Sequence, residues 1–283
     1  MGSLPCSQKR IQRRMGCYIG CAGWSIRSEH RSFFPPEGTH LEKYAQVFNA
    51  VEINTSFYRP HQKTTYLRWK QSVPAEFRFS VKLPREATHL RRLRAAQPVL
   101  ERFLIETSGL GEKLGVILIQ LPPSLGYEAA IAEPFFSFLR RNSDCRLALE
   151  ARHASWFAPE VLQWRDQMGL SGVAADPAPV PLSAIATGPQ LRYYRWHGAP
   201  RIYYSPYSRD SLSALAAKMD QEVTAGFEVW AILDNTALGH ATADAMYLNS
   251  CPVASVSAEL PEAARKECFA DLTLPDPEVN HHS

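Results

Sequence analysis

Arg146-Leu-Ala-Leu-Glu-Ala-Arg-His153 decides the fold. Leu147 and Leu149 alternate with Ala148 and Glu150, so one face is apolar and the other ends in charge. A period of two marks a strand. Seven other stretches repeat the design: residues 17–21, 50–53, 77–81, 116–119, 171–174, 191–194 and 228–233. They lead in turn into Trp24, Asn54, Lys82, Gln120, Asp176, Arg195-Trp-His197 and Asp234-Asn235. Apolar strands with polar C-terminal tips predict an α/β protein, a single (β/α)8 TIM-like barrel. In such a barrel the active site gathers where the strand C-termini converge.

Helical patterns fill most of the gaps. Thr39-His-Leu-Glu42 reads as a capping box, and Leu41, Tyr44, Ala45 and Phe48 follow with helical spacing. Further helices are expected at Val99–Leu104 and Ile131–Leu139, the first closed by Gly109 and Gly111. Pro159 opens another, and two more follow at Leu212–Val223 and Ala241–Leu248. Between Asp176 and Gln190 stand Pro177, Pro179, Pro181 and Pro189. Proline removes a backbone donor and blocks the helix interior, so the sixth crossover is expected to lack a regular helix.

The 283 residues, 45% of them hydrophobic, suit one large core. Residues 1–16 are expected to form a disordered basic arm carrying Lys9, Arg10, Arg13 and Arg14. Residues 17–283 are expected to form the barrel, with an irregular tail after Pro252. The net charge of +3 neither demands nor excludes nucleic acid, whose signature is a clustered patch. No apolar run is long enough for a membrane span, and the N-terminus lacks a signal-peptide core. The expected location is therefore the cytoplasm, with the six cysteines reduced.

Parity sorts the polar tips. Glu52 shares a face with Asn54, Ser80 with Lys82, Glu150 with Arg152, Arg195 with His197, and Ile232 with Asp234. The opposite faces are apolar and must meet the helices, so the polar set is expected to point into the mouth. Lys82, Arg152 and Arg195 suit an anionic ligand, since arginine grips phosphate or carboxylate in two places. Glu52, Glu150, Asp176, His197 and Asp234 are the candidate acid–base groups. Trp24, Asn54, Tyr58, Lys82, Gln120, Arg152, His153, Arg195 and Asn235 are the candidate binding groups. Phe57, Trp156, Trp196 and Tyr204 join Trp24 and Tyr58 as a candidate aromatic rim. A structural ion-pair network is the competing reading, because buried charges must be paired. No cofactor is expected. A divalent metal could draw on Glu52, Glu150, Asp176, His197 and Asp234, but the cations among them disfavour it.

These motifs together resemble the YecE-like proteins, a domain-of-unknown-function family with a TIM-barrel-like fold. The matching segments begin with Gly20-Cys-Ala-Gly-Trp-Ser25, Tyr44-Ala-Gln-Val-Phe48 and Val51-Glu-Ile-Asn-Thr-Ser-Phe-Tyr-Arg59. Phe79-Ser-Val-Lys82, Thr88-His89, Gln120-Leu-Pro-Pro123 and Glu150-Ala-Arg-His-Ala-Ser-Trp156 follow. Asp176, Arg195-Trp-His-Gly198, Asp234-Asn235 and Gly239-His-Ala241 complete the set. Departures fall at Ile26, His30-Arg31 and Asp244. The resemblance implies the barrel and one shared pocket, without supplying a reaction.

Three functions are compatible with the residues. The first is an enzyme acting on a small anionic or sugar-like ligand by carboxylate or histidine acid–base chemistry. The second is a nucleic-acid-processing phosphodiesterase, and the third a non-catalytic ligand-binding module.

Overall fold

The computed structural model describes residues 16–251. The expected basic arm, apart from Gly16, and the tail from Pro252 onward lie outside the described residues. The strands are β1 (Cys17–Ala22), β2 (Ala50–Ile53), β3 (Arg78–Lys82) and β4 (Leu114–Gln120). They continue as β5 (Arg146–Glu150), β6 (Leu170–Asp176), β7 (Leu191–Trp196) and β8 (Glu228–Leu233). All pair in parallel with their sequence neighbours, and β8 closes on β1.

The α-helices are α1 (His40–Val47), α2 (Thr55–Tyr58), α3 (Lys63–Gln71) and α4 (Gln97–Thr107). After them come α5 (Ala129–Asn142), α6 (Pro159–Gln167), α7 (Arg209–Thr224) and α8 (His240–Ser250). The Thr39 hydroxyl accepts from the Glu42 amide while the Glu42 carboxylate accepts from the Thr39 amide, completing the capping box of α1. Pro159 occupies the first turn of α6, where its missing N–H costs nothing. The sixth crossover carries only a single 3-10 turn, Pro181–Ala184, as its prolines require. The second crossover holds a helix, as a regular (β/α)8 barrel requires. No apolar periodicity marks residues 63–71, yet they form α3, which buries Tyr66 alone. Packing of one aromatic residue decides this helix rather than an apolar stripe.

Two cores result. The larger lies between strands and helices and takes the outward strand positions, Val51, Ile53, Leu147, Leu149 and Leu233 among them. The smaller plugs the barrel and is built from Ala50, Val116, Leu118, Ala148, Val173, Leu191, Tyr193, Trp230 and Ile232. Trp230 stacks on Tyr193 with ring centres 6.1 Å apart. Gly115 makes room for it, because a Cβ there would stand 2.5 Å from the indole. The plug is dry and aromatic below, and the inward positions one layer higher carry charge.

Candidate active site at the barrel mouth

That upper layer consists of inward-facing residues one step past the apolar plug. β2 supplies Glu52, β3 supplies Ser80 and Lys82, β4 supplies Gln120 and β5 supplies Glu150. β7 supplies Arg195, with His197 just beyond it, and Asp234 follows β8. Each is at most 7% exposed. The register of the barrel brings them to one level: Gln120 pairs with Glu150, Arg195 with Ile232, and Glu52 with Ser80.

Arg195 is the hub. Its Nε lies 3.1 and 3.0 Å from the two oxygens of Glu52, and its Nη2 lies 2.8 Å from Glu52 Oε1. The same Nη2 is 2.9 Å from Asp234 Oδ2, and Nη1 is 3.3 Å from Glu150 Oε2. Three carboxylates thus share one guanidinium. Burial alone would lower its pKa, but Asp234, Glu52 and Glu150 hold it well above the ordinary arginine value. Glu150 also accepts from Arg152 Nη2 at 2.6 Å and from Gln120 Nε2 at 2.8 Å. Burial pushes its pKa up, yet Arg195 and Arg152 outweigh this and hold it well below the usual carboxylate range. Tyr193 donates its hydroxyl to Glu52 Oε2 at 2.9 Å, with Ser80 Oγ 2.8 Å away. Glu150 is therefore held as an ion, and both Glu52 and Glu150 are fixed in direction by their hydrogen bonds.

His197 and Asp234 form a hydrogen-bonded pair beside this hub. His197 Nδ1 and Asp234 Oδ2 are 3.0 Å apart, and Nε2 is 3.5 Å from Glu150 Oε1. Burial works against the imidazolium, but bonds to Asp234 and Glu150 raise its pKa above the usual 6.5 despite Arg195. Burial likewise opposes the Asp234 carboxylate, which Arg195 and His197 nonetheless hold below its ordinary range. A carboxylate on Nδ1 orients the ring and stabilises its charged form, leaving Nε2 to exchange a proton.

Lys82 is different. Its Nζ sits 4.2 Å above the centre of the Phe57 ring. No carboxylate among the described residues forms an ion pair with it, and burial followed by repulsion from Arg195 lowers its pKa to about 8. The Phe57 ring also meets His89 edge-on, with centres 5.0 Å apart. Burial, then Lys82 and Arg152, push His89 down to about 4, so it is neutral near pH 7. Tyr203, in a left-handed conformation with φ of 69°, packs its ring 5.9 Å from His197. Its phenol feels Asp234, Arg195, Arg152 and Glu150. Spacing alone singles out neither residue as part of the site. The Thr88-His89 motif was the one available signal for His89, and nothing local marked Tyr203.

Other candidates stand elsewhere. Asp176 has outward parity and accepts from the Tyr207 hydroxyl at 2.8 Å. It lines a cavity of about 680 Å³ outside the barrel, beside Trp196 and Lys218. Asn235 also has outward parity and donates to Asp244 Oδ2 at 2.7 Å and to the Ser205 carbonyl at 3.0 Å, stapling the loop after β7 to α8. His153 is exposed and bonded to Ser155, capping the turn after β5. Trp24 packs edge-on against Trp69 of α3, with centres 5.1 Å apart. Trp156 is wholly buried, and Trp196 lies against Tyr207. Tyr204 covers Arg201, while Tyr58 is exposed beside Phe57. Asn54 keeps inward parity, and its buried Oδ1 has no hydrogen-bond partner. Among the described residues, no three His, Cys, Asp or Glu side chains are arranged to hold a metal ion. No helix among them is long and apolar enough to cross a membrane.

The comparisons agree with this architecture. The chain is similar to UPF0759 protein YecE of Escherichia coli K12, at 31% identity over 169 residues. That alignment spans 58% of this chain and only 60% of the relative's length. It is also similar to UPF0759 protein YunF of Bacillus subtilis 168, at 26% identity over 64% of this chain and 70% of the relative. A crystal structure of a DUF72 family protein from Thermotoga maritima superposes with a TM-score of 0.69 at 24% identity. It covers 82% of this chain and 97% of its own. Another DUF72 family protein, from Enterococcus faecalis V583, superposes with a TM-score of 0.66 at 22% identity, covering 82% and 95%. These two show the fold. The sequence profile described as "Protein of unknown function DUF72" matches residues 18–264, and the chain belongs to the DUF72 family.

Proposed function

We propose that the mouth binds a small anionic or sugar-like ligand and acts on it by acid–base chemistry at His197 and Asp234. One observation carries the reading. Three carboxylates, Glu52, Glu150 and Asp234, are each already engaged by Arg195, and two of them also by Arg152 or His197. Among the described residues no carboxylate forms an ion pair with Lys82, whose Nζ lies over the Phe57 ring. Those three carboxylates are shared among Arg195, Arg152 and His197, which leaves the Lys82 charge unmatched. An anion would supply the missing charge, with Lys82 and the partly exposed Arg152 as its contacts. The unpartnered Asn54 Oδ1 suits a hydroxyl of the same ligand.

The test is thermal unfolding with inorganic phosphate, sulfate and a panel of sugar phosphates. A ligand that binds only the folded state adds about 2.7 kcal/mol at a hundredfold excess over Kd. The expected result is a rise in Tm with at least one of these anions, reduced in Lys82→Met. Absence of any rise, or a rise equal in Lys82→Met, overturns the reading.

A further inference from the structure

We infer that Lys82 is a nucleophilic amine, and that the ligand of the mouth is a small aldehyde or ketone carrying an anionic group. The inference deepens the function proposed above and rests on it. Lys82 ends β3 with its Nζ in the charged layer, so its neighbours there are Arg195, Glu150, Glu52 and Asp234. Each carboxylate in that layer is already claimed by Arg195, and in two cases by Arg152 or His197 as well. The Phe57 ring beneath Nζ gives a cation–π contact but no lone pair to accept a hydrogen bond. Among the described residues, no hydrogen bond therefore holds the lysine in its charged form. A lysine desolvated beside another cation keeps a larger share of neutral amine at neutral pH, which is the usual route to imine-forming lysines.

Lys113 supplies the contrast within the same molecule. It is equally buried, but its ammonium donates to the carbonyls of Lys70 at 2.8 Å and Val73 at 2.6 Å. Those bonds hold its protons and its direction, so its role is structural. Lys82 has the burial without the bonds.

The chemistry closes without a further reactant. The nitrogen lone pair attacks the carbonyl carbon, and the C=O π pair moves onto oxygen. The two protons of the amine end on that oxygen, which leaves as water while C=N forms. Neutral His89, edge-on to the ring under Nζ and bonded through Nδ1 to Thr88 Oγ1 at 2.9 Å, would offer its Nε2 to the carbonyl oxygen. Arg152 would hold the anionic group of the substrate.

Reductive trapping tests this. The full chain is incubated at neutral pH with glyceraldehyde 3-phosphate and cyanoborohydride, and adducts are mapped by mass spectrometry. Exposed Lys63 and Lys218 serve as references and Lys113 as the buried control. The expected result is modification of Lys82 at least about tenfold faster than any reference, slowed by excess inorganic phosphate. In Lys82→Arg, which keeps the cation, the stabilisation by phosphate survives and the fast adduct is lost. If phosphate stabilises the protein but Lys82 reacts no faster than the references, the nucleophile is overturned and the anion site stands. If no anion stabilises the protein and Lys82 is unreactive, both fail. Fast modification that phosphate does not slow sinks the anionic substrate and leaves a reactive lysine alone.

Discussion

The eight strand tips build two polar regions, one inside the barrel and one outside, and they differ in kind. Inside, Glu52, Glu150, Asp234, Arg152, Arg195 and His197 are joined in one network and nearly all withdrawn from water. Outside, Asp176 with Tyr207 and Asn235 with Asp244 make short-range bonds that tie loops to strands and to α8. Both sets look alike as polar residues after an apolar run. One residue of parity separates them, because neighbours along a strand point to opposite sides. The inner set can meet a ligand in the mouth. The outer set shapes the loops around that mouth, as where Tyr207 bonds both Asp176 and the Gly198 amide.

The largest effect that could break this comparison lies at the hub. Arg195→Met leaves three buried carboxylates without their shared cation. Breaking a buried ionic group from one side costs about 3–5 kcal/mol. For a protein of this size that is on the order of 10 °C in Tm. Thermal and urea unfolding should show such a loss. A fall of no more than about 2 °C would mean that the inner layer is solvated and that its charges do not depend on one another.

Parity was legible, and so were the barrel and the irregular sixth crossover, because each follows from local rules. Alternation fixes faces and clustered prolines forbid a helix. The division of labour inside the mouth was not legible. Glu150 and Arg195 look like free catalytic and binding groups until the register places Glu52, Glu150 and Asp234 around one guanidinium. Lys82 looks like one cation among several until the same register leaves it over Phe57. These are facts of long-range pairing, between residues as far apart as β2 and β7, and no window of sequence contains them. α3 escaped for the opposite reason. Its signal is a single buried Tyr66, too short a pattern to read.

A middle-sized effect sharpens the inner side. The raised pKa of His197 means that the folded protein binds its proton more tightly than the unfolded chain. That contribution is complete below the ordinary value near 6.5 and is lost as pH rises through the folded value. The lowered carboxylates Glu150 and Asp234 act in reverse: their contribution is present above about pH 4 and is lost as pH falls through their folded values. The difference in unfolding free energy between wild type and His197→Gln should therefore shrink from about pH 5.5 to about pH 8.5. Its ceiling is the roughly 1.5–3 kcal/mol of a charge-assisted hydrogen bond. Urea titrations at the two pH values measure it; a constant difference would mean that folding leaves the His197 pKa at its ordinary value, and a difference that grows with pH that the fold keeps His197 neutral.

The smallest expected effect tests the outer side, at Asp176. Its carboxylate accepts one hydrogen bond, from the Tyr207 hydroxyl, and that hydroxyl also reaches the Asp176 carbonyl at 2.9 Å. Asparagine keeps an acceptor oxygen at the same place, so Asp176→Asn removes a charge and little else. A hydrogen bond to a charged group contributes about 1.5–3 kcal/mol and a neutral one about 0.5–1.5, so the change should cost on the order of 1 kcal/mol. The side chain points away from the ionic layer, so the rise in Tm on adding phosphate or a sugar phosphate should equal that of wild type. Asp176→Asn and Lys82→Met, compared in the same anion series, then separate the two regions directly. A loss of anion stabilisation in Asp176→Asn would show that the outer cavity beside Trp196 and Lys218 belongs to the site. The division by parity would then fail as a guide to function, although it would still describe the fold.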